Sequence, residues 1–412
     1  METIKQTTKC YNKSAAVYLA LFASLGGVLI GYDGGIIGSV LLFIQPSLLL
    51  NDFMQGLSAS IIIFGTIIGA LINKIYRQWP QPRCITLAAL IYAFGFAIAA
   101  CASHIVILII GQFFAGLACG IIFVIVPLYL AEIAPPKSRG AFVTTFQLGI
   151  TFGILLGYLC SYLVAPYQAW QGLFVCGGMI AIILLLSSFF LPIPLSSIES
   201  QRDNHYKSNF KLLFTNNKRC FFIGNGLAVL QQATGINAII FFAPQIFQSV
   251  YPQGNITAIF SGMIIMFGNF LFTFIALFVF DFFGRRPILI FGLLLQCIAL
   301  TLLGIFEQWS IGYADIFSVF CLLLYVFGFA VGLGPGSWLV ISEIYPIDVR
   351  ERLMGVTIII NNLAAFIVAC SFLSLHQFLG AANVFWMYAF VALLGLGLVK
   401  FFVPETKLKN LE

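Results

Sequence analysis

Residues 105–140 read IVILIIGQFFAGLACGIIFVIVPLYLAEIAPPKSRG, an apolar run that ends in a charged turn. Residues 105–131 include no charged residue, and this run is longer than the roughly 20 residues with which a helix crosses a bilayer. In hydrocarbon the backbone must satisfy its hydrogen bonds internally, which a helix does within one segment. The stretch therefore predicts a membrane-spanning helix that ends near Glu132.

The charged turn is repeated later in the chain. Its pattern, Glu-x2-Pro-x3-Arg, starts at Glu132 after the fourth apolar run and again at Glu343 after the tenth. Two copies on equivalent spans favour two related halves, so we expect six-helix bundles at 1–193 and 219–412, joined by a short cytoplasmic linker at 194–218. Such halves suit an alternating-access transporter, whose substrate site lies between them near the bilayer midplane.

The composition of the whole chain agrees with a membrane protein. Of its 412 residues, 61% are hydrophobic and 8% are charged, and the mean hydropathy is +1.04. Soluble domains carry about 25% charge, so this composition excludes both a soluble globule and a disordered chain. The sequence predicts an all-α polytopic membrane protein with twelve transmembrane helices in two pseudo-symmetric halves. The predicted spans are 15–44, 54–76, 84–103, 105–131, 141–163, 170–192, 219–248, 255–280, 287–306, 313–342, 353–375 and 381–403.

The basic residues lie on one side of this predicted bundle. All 20 Lys and Arg residues fall in the N-terminal segment, the tail, the loops that follow even-numbered spans or the span ends next to these loops, and the alternate loops contain none. We call the two sides the basic side and the neutral side. The positive-inside rule places the basic side and both termini in the cytoplasm of a multi-pass protein of the cell membrane. The net charge of +6 is then an orientation signal, and we expect no nucleic-acid partner.

One acidic residue lies deep inside a predicted span. Asp33 belongs to the sequence GYDGG at 31–35, and no Lys or Arg lies near the middle of any span. An ionised carboxylate is costly at that depth, which favours its neutral form. Asp33 is therefore a candidate carrier of a proton. The alternative is a polar residue that hydrogen-bonds within the bundle, or faces a water-filled cavity, without titrating.

Side-chain amides cluster in the seventh predicted span. Gln231, Gln232 and Asn237 surround a glycine, and an amide left unpaired in hydrocarbon costs a few kcal/mol. We expect these amides to face a wet cavity and bind a ligand rich in hydroxyl groups, with structural bonding between helices as the alternative. Other spans extend the polar pattern with Gln147, Asn269, Asn361 and Asn362. Trp338 follows Gly334-Pro335-Gly336, which should interrupt the tenth span, and its ring could stack on a sugar or pack in the core.

Motifs of an enzyme are missing from the sequence. The three histidines are separated, and neither a phosphate-binding Walker loop nor a Gly-x-Ser-x-Gly turn occurs. The ten cysteines have no metal-ligand spacing. We therefore expect neither an enzyme nor an ATP-driven pump, and no cofactor or metal.

The order of the motifs resembles the sugar porter family of the major facilitator superfamily over nearly the whole chain. The matching strings are GYD at 31–33, PLYLAE at 127–132, P-x3-RG at 135–140, QQ-x2-GIN at 231–237, D-x2-GRR at 281–286, GP-x2-W at 334–338, SEIYP at 342–346 and PETK at 404–407.

The resemblance implies the major facilitator fold with a central sugar site. By position, the residues that would bind the sugar are Gln147, Gln231, Gln232, Asn237, Asn269, Trp338 and Asn361. Asp33 matches the acid of proton-coupled members. A cytoplasmic charge network that closes the two halves on the inside would comprise Glu132, Arg139, Asp281, Arg285, Arg286, Glu343 and Arg350.

Several positions depart from the family pattern. Members usually carry an Arg where this chain has Gln112, and that Arg is thought to pair with the ionised acid of the first span. The loop after the second span should read Asp-Arg-x-Gly-Arg-Arg but runs QWPQPR at 78–83, so half of the charge network is largely missing. In the eleventh span this chain has Asn362 at a position where family members carry an aromatic residue. A polyol, inositol or pentose would therefore fit the site as well as a hexose.

The sequence thus predicts a secondary transporter that moves a monosaccharide or polyol across the membrane, coupled to a proton through Asp33. A passive uniporter is the nearest alternative, because Gln112 replaces the arginine. A sugar sensor that does not transport is a further alternative, although only a short tail follows the last span. We expect the protein to work as a monomer in the lipid bilayer.

Overall fold

The computed structural model describes residues 13–48, 50–72, 76, 79–134, 139–193, 217–250, 254–309, 314–346 and 349–406. Within these segments the side chains of 13–17, 46–48, 139–144, 248–250, 277–282, 314–316 and 351 lie outside the description. The predicted linker 194–218 lies almost wholly outside the described residues. All the regular structure in the described part of the chain is helical.

Fourteen α-helices build the described bundle. The first six are α1 (Lys13–Leu48), α2 (Asp52–Leu71), α3 (Gln81–Ala100), α4 (Ile105–Ile133), α5 (Arg139–Val164) and α6 (Trp170–Ser188). The remainder are α7 (Lys218–Ala233), α8 (Ile236–Val250), α9 (Asn255–Phe283), α10 (Arg285–Trp309), α11 (Ala314–Val331), α12 (Leu333–Ile344), α13 (Arg350–Leu379) and α14 (Ala381–Phe402).

These helices make the twelve membrane crossings that the sequence predicts. The quoted apolar run forms α4, which continues through the start of the charged turn to Ile133. Two crossings consist of two helices each: α7 and α8 form the seventh, and α11 and α12 form the tenth. We refer to α1–α6 as the first half and to α7–α14 as the second half.

The break in the seventh crossing was not expected from the sequence. Gly235 has a φ of +94°, a left-handed conformation that glycine adopts without steric cost. The ring of Tyr388 on α14 packs against this glycine, so that a Cβ there would lie 3.0 Å from the ring. The hydroxyl of Tyr325 on α11 donates to the carbonyl of Thr234 at 3.0 Å. The break is therefore held by two tyrosines from other crossings.

The break in the tenth crossing lies at Gly332, two residues earlier than predicted. Gly334 and Pro335 belong to the first turn of α12. Proline is tolerated there because the first backbone N–H groups of a helix have no partner within the helix. Gly332 also packs closely on Gly292 of α10, and this contact requires the absence of a side chain.

Close contacts between helices within the first half depend on small residues. A Cβ on Gly31 or Gly35 of α1 would overlap the backbone of α5 at Ile150 and Ile154. Membrane helices often associate in this way, because small residues allow backbones to approach and increase dispersion contacts. This packing fixes the position of Asp33, which lies between the two glycines.

The two halves meet closely on the neutral side. The amide of Gln245 on α8 donates to the carbonyl of Gly38 on α1 at 3.0 Å. The hydroxyl of Tyr158 on α5 donates to the carbonyl of Ile240 at 2.8 Å. Both bonds lie toward the helix ends that carry the neutral loops, so this conformation is closed on the neutral side.

Substitution of Gly38 should open this closure. A Cβ at Gly38 would overlap the carbonyl oxygen of Phe241, so Gly38→Ala should destabilise the closed conformation by about 1–3 kcal/mol. Its population relative to a neutral-side-open form should then fall by about 5- to 150-fold. Spin labels at the exposed positions 167 and 378, one in each half, should report longer distances in the variant.

The matched control is Gly178→Ala, because a Cβ at Gly178 meets nothing within 4 Å. This control should keep the label distances of the parent chain. Equal distances in Gly38→Ala and the control would contradict a closure that depends on contact at Gly38.

Candidate functional site

Four of the predicted sugar-binding amides form one continuous hydrogen-bond chain. Asn237 Nδ2 donates to Gln232 Oε1 at 2.8 Å, and Gln232 Nε2 donates to Asn361 Oδ1 at 3.0 Å. Asn361 Nδ2 in turn donates to Gln231 Oε1 at 2.9 Å. We call these four residues the amide chain. It joins α7, α8 and α13, three helices of the second half.

The amide chain ends on backbone carbonyls at the broken crossings. Gln231 Nε2 donates to the carbonyls of Leu333 and Gly334, each at 2.9 Å, in the first turn of α12. Asn361 Nδ2 also donates to the carbonyl of Ala228 at 2.8 Å. Both N–H groups of Gln231 and of Asn361 are therefore used. Gln232 and Asn237 each have one N–H group that the amide chain does not use, and the side-chain carbonyl oxygen of Asn237 is also unused by it.

In this conformation the amides bind each other and do not line an open cavity. Gln231, Gln232 and Asn361 are 4%, 9% and 6% exposed, and Asn237 is half-buried. In this conformation the amides thus form structural hydrogen bonds between helices, which was the alternative to ligand binding for the amides of the seventh span. A ligand at this site would meet the Gln232 and Asn237 end, where hydrogen-bonding capacity remains.

Three other predicted binding residues lie outside the amide chain. Gln147 is half-buried on α5, and Asn269 is buried on α9. Trp338 is half-buried on α12, where it packs against the apolar cluster of the second half. Asn362 turns back to its own helix, since its amide donates to the carbonyl of Ile358 at 2.9 Å. Only Asn361 of the asparagine pair joins the chain.

Asp33 is fully enclosed within the first half. It is 1% exposed, and Gln112 Nε2 on α4 donates to its carboxylate oxygen Oδ1 at 3.0 Å. The nearby hydroxyl of Tyr92 is directed to the carbonyl of Leu29 at 3.1 Å. Gln112 thus occupies the place where the family resemblance implies a cation, and it supplies a neutral donor instead.

An ion pair on the basic side lies within the second half. Arg285 at the start of α10 pairs with Glu343 at the end of α12, with Nη2 and Oε1 separated by 3.1 Å. The carboxylate of Glu405 accepts from the backbone N–H groups of Arg285 and Arg286, each at 3.1 Å. The hydroxyl of Thr406 donates to Glu343. The segment after α14 is therefore anchored to the start of α10.

The first half has a neutral counterpart of this pair. Gln81 Nε2 at the start of α3 donates to Glu132 Oε1 at the end of α4, at 2.9 Å.

Among the other residues of the predicted charge network, Arg350 donates through Nε to the carbonyl of Tyr345 at 3.2 Å. The side chains of Arg139 and Asp281 lie outside the described residues. Whether the predicted charge network closes the basic side stays a prediction.

Sequence reasoning missed several residues that shape the site. Tyr325 and Tyr388 hold the break beside the amide chain. On the basic side, Gln81 binds Glu132, and Glu405 binds the backbone at the start of α10. A tyrosine in the middle of an apolar span was the available signal for Tyr325, because its hydroxyl needs a partner in hydrocarbon. Within the described segments, no three His, Cys, Asp or Glu side chains form a group that could hold a metal.

Comparison with known proteins agrees with this geometry. The family model described as "Sugar (and other) transporter" matches residues 19–194 and 194–412. The chain belongs to this sugar transporter family. It is therefore a multi-pass membrane transporter of the major facilitator superfamily and not an enzyme.

Two curated relatives show the extent of the similarity. The galactose-proton symporter of Escherichia coli (strain K12) is 32% identical, over 97% of this chain and 94% of the relative. The D-xylose transporter of Levilactobacillus brevis is 30% identical, over 97% of this chain and 95% of the relative.

A solved structure shows the same fold. The partially occluded inward open conformation of the xylose transporter XylE from E. coli superposes with a TM-score of 0.85 at 23% identity. The match covers 96% of this chain and 100% of the solved one. The predicted fold class, twelve helices in the major facilitator arrangement, is confirmed.

Removal of the central amide should weaken the site and the fold together. Asn361→Leu leaves Gln231 Oε1 and an N–H of Gln232 without their partner, and each buried group left unpaired costs about 1–3 kcal/mol. We expect a lower midpoint of thermal unfolding, and weaker sugar binding because Gln232 loses the acceptor that holds its side chain in position. Thermal unfolding and equilibrium binding on purified protein measure both effects.

Asn362→Leu is the matched control, since it removes an adjacent amide that bonds only within its own helix. It should unfold close to the parent chain. If the two variants lose stability and binding equally, the amide chain has no special role.

Proposed function

We propose that this chain transports a monosaccharide or polyol by alternating access, in symport with a proton carried by Asp33. The observation that supports sugar transport is the amide chain, which leaves one N–H group of Gln232 and one N–H group and the carbonyl oxygen of Asn237 unused beside the break at Gly235. Discontinuous helices near the midplane are where transporters of this kind hold their substrates. Relatives named for galactose and xylose support the same substrate class.

In this proposal the amides have two roles. Gln232 and Asn237 bind sugar hydroxyl groups directly, while Gln231 and Asn361 position them through bonds to the backbone. Trp338 offers an aromatic face to the apolar side of the ring. Gln147 of the first half and Asn269 complete the site when the halves close around the substrate. Because Gln147 lies on the opposite half, sugar binding would couple the two halves.

The proton role of Asp33 follows from its burial. A fully buried carboxylate whose described partner is one neutral amide is costly when ionised. Asp33 would thus hold a proton in the conformation closed on the neutral side. Opening of that side admits water and lets the residue exchange protons. The cycle is driven if ionised Asp33 hinders the return of the empty carrier.

A passive uniporter is the second candidate, and one observation favours it. The hydrogen bond from Gln112 to Asp33 at 3.0 Å satisfies the carboxyl group without a cation. A carboxyl group that never ionises would contribute polarity only, and sugar would then move down its own gradient.

Removal of the charge at position 33 distinguishes these candidates. Asp33→Asn keeps an oxygen acceptor for Gln112 but cannot bind and release a proton. In proteoliposomes with an inward proton gradient, the parent chain should accumulate labelled galactose, xylose, glucose or inositol above equilibrium. The variant should only equilibrate the same sugar, and its uptake should not change with the pH gradient.

Asp52→Asn provides the control, because Asp52 lies in the first turn of α2 at the neutral side, away from the site. It should accumulate sugar as the parent chain does. Equilibration without accumulation by the parent chain would establish the uniporter. The absence of any sugar flux in the parent chain would contradict transport of this substrate class.

The proposal includes the orientation of the chain in the membrane and the closure of the basic side. We place the basic side and both termini in the cytoplasm, and treat 1–193 and 219–412 as the moving bundles with 194–218 as their linker. On the basic side the charged residues of the predicted network would close the halves when the neutral side opens. One chain contains a complete amide site, which supports function as a monomer.

A further inference from the structure

A groove outside the sugar site runs along the outer face of α10. It has a volume of about 440 Å³ and is lined by Arg286, Pro287, Ile290, Phe291 and Leu294. These positions recur on one face over two turns, a distance of about 12 Å along the helix. Phe291 and Leu294 are 49% and 45% exposed, although both belong to a membrane-spanning helix. The groove therefore opens toward the lipid.

Arg286, a cation with an unused hydrogen-bond donor, lies at the basic-side end of the groove. Arg286 Nη2 donates to the carbonyl of Lys400 on α14. Arg286 Nε is buried and finds no partner among the described residues. A buried guanidinium N–H without an acceptor is costly, so this end of the groove suits an anionic group.

Among the described side chains around this end, the cations outnumber the carboxylates. The described ionic side chains are three cations, Arg285, Arg286 and Lys400, and two carboxylates, Glu343 and Glu405. Arg285 pairs with Glu343, and Glu405 caps the start of α10 through backbone N–H groups. Glu343 is thus engaged by the Arg285 side chain and Glu405 by the backbone of both arginines, while Arg286 Nε has no partner among the described residues.

We propose that this groove binds one anionic phospholipid from the bilayer leaflet on the basic side. The phosphate accepts hydrogen bonds from Arg286 and is attracted by Lys400, while an acyl chain lies along Ile290, Phe291 and Leu294. The start of α10, where Arg286 lies, is at the depth at which a membrane-spanning helix reaches the lipid headgroups. The phosphate of a lipid would therefore lie at Arg286, with its acyl chain along the apolar part of the groove. A lipid there would contact α10 and approach the end of α14.

Native mass spectrometry of the purified full chain with phosphatidylglycerol or phosphatidylcholine tests the proposal. The parent chain should bind phosphatidylglycerol in preference to phosphatidylcholine. Arg286→Gln should weaken phosphatidylglycerol binding by about tenfold or more, because a charged hydrogen bond is lost. Leu294→Trp should weaken it as well, since the larger ring fills the groove while every charge remains.

Arg83→Gln is the charge-matched control, because Arg83 is an exposed cation near the start of α3. It should bind phosphatidylglycerol like the parent chain. Equal weakening by Arg83→Gln and Arg286→Gln would overturn the site, as would unchanged binding in Leu294→Trp. Soluble glycerol phosphate that displaces the lipid at equal concentration would also overturn it, since the acyl chain would then add nothing. These readouts measure lipid retention and do not depend on sugar transport.

Discussion

Two interrupted crossings place backbone carbonyls near the midplane within reach of side chains, and the rest of the site depends on these hydrogen bonds. Gln231 donates both of its amide hydrogens to the carbonyls of Leu333 and Gly334. Tyr325 donates to Thr234 at the other break. These hydrogen bonds connect the polar side chains near the midplane to the two breaks without any ligand.

This dual use explains why only part of the amide cluster is available to a substrate. Gln231 donates both N–H groups to backbone carbonyls, and Asn361 donates one to backbone and one to Gln231. Gln232 and Asn237 each keep an N–H group that this network does not use. A buried network is stable only if nearly all its members are paired. In the proposed sugar site, hydroxyl groups would pair with the unused groups of Gln232 and Asn237 and so add to an existing network.

The two halves differ in how they satisfy their acids. On the basic side the second half pairs Glu343 with Arg285, while the first half pairs Glu132 with the neutral Gln81. Inside the first half, Asp33 likewise receives a neutral donor from Gln112. Partly exposed ion pairs such as that of Arg285 and Glu343 contribute little stability each.

The sequence alone determined the class, the number of crossings, their pseudo-repeat and the expected orientation, because hydropathy and charge are local properties of a chain in a bilayer. It also named all four members of the amide chain and the acid at position 33. Only the tertiary structure decided that Asn361 joins the chain while Asn362 does not, that the seventh crossing breaks at Gly235, and that Gln81 meets Glu132. Those outcomes depend on which helices pack together and on the rotation of each helix about its axis. Residue type and spacing along one helix cannot specify either.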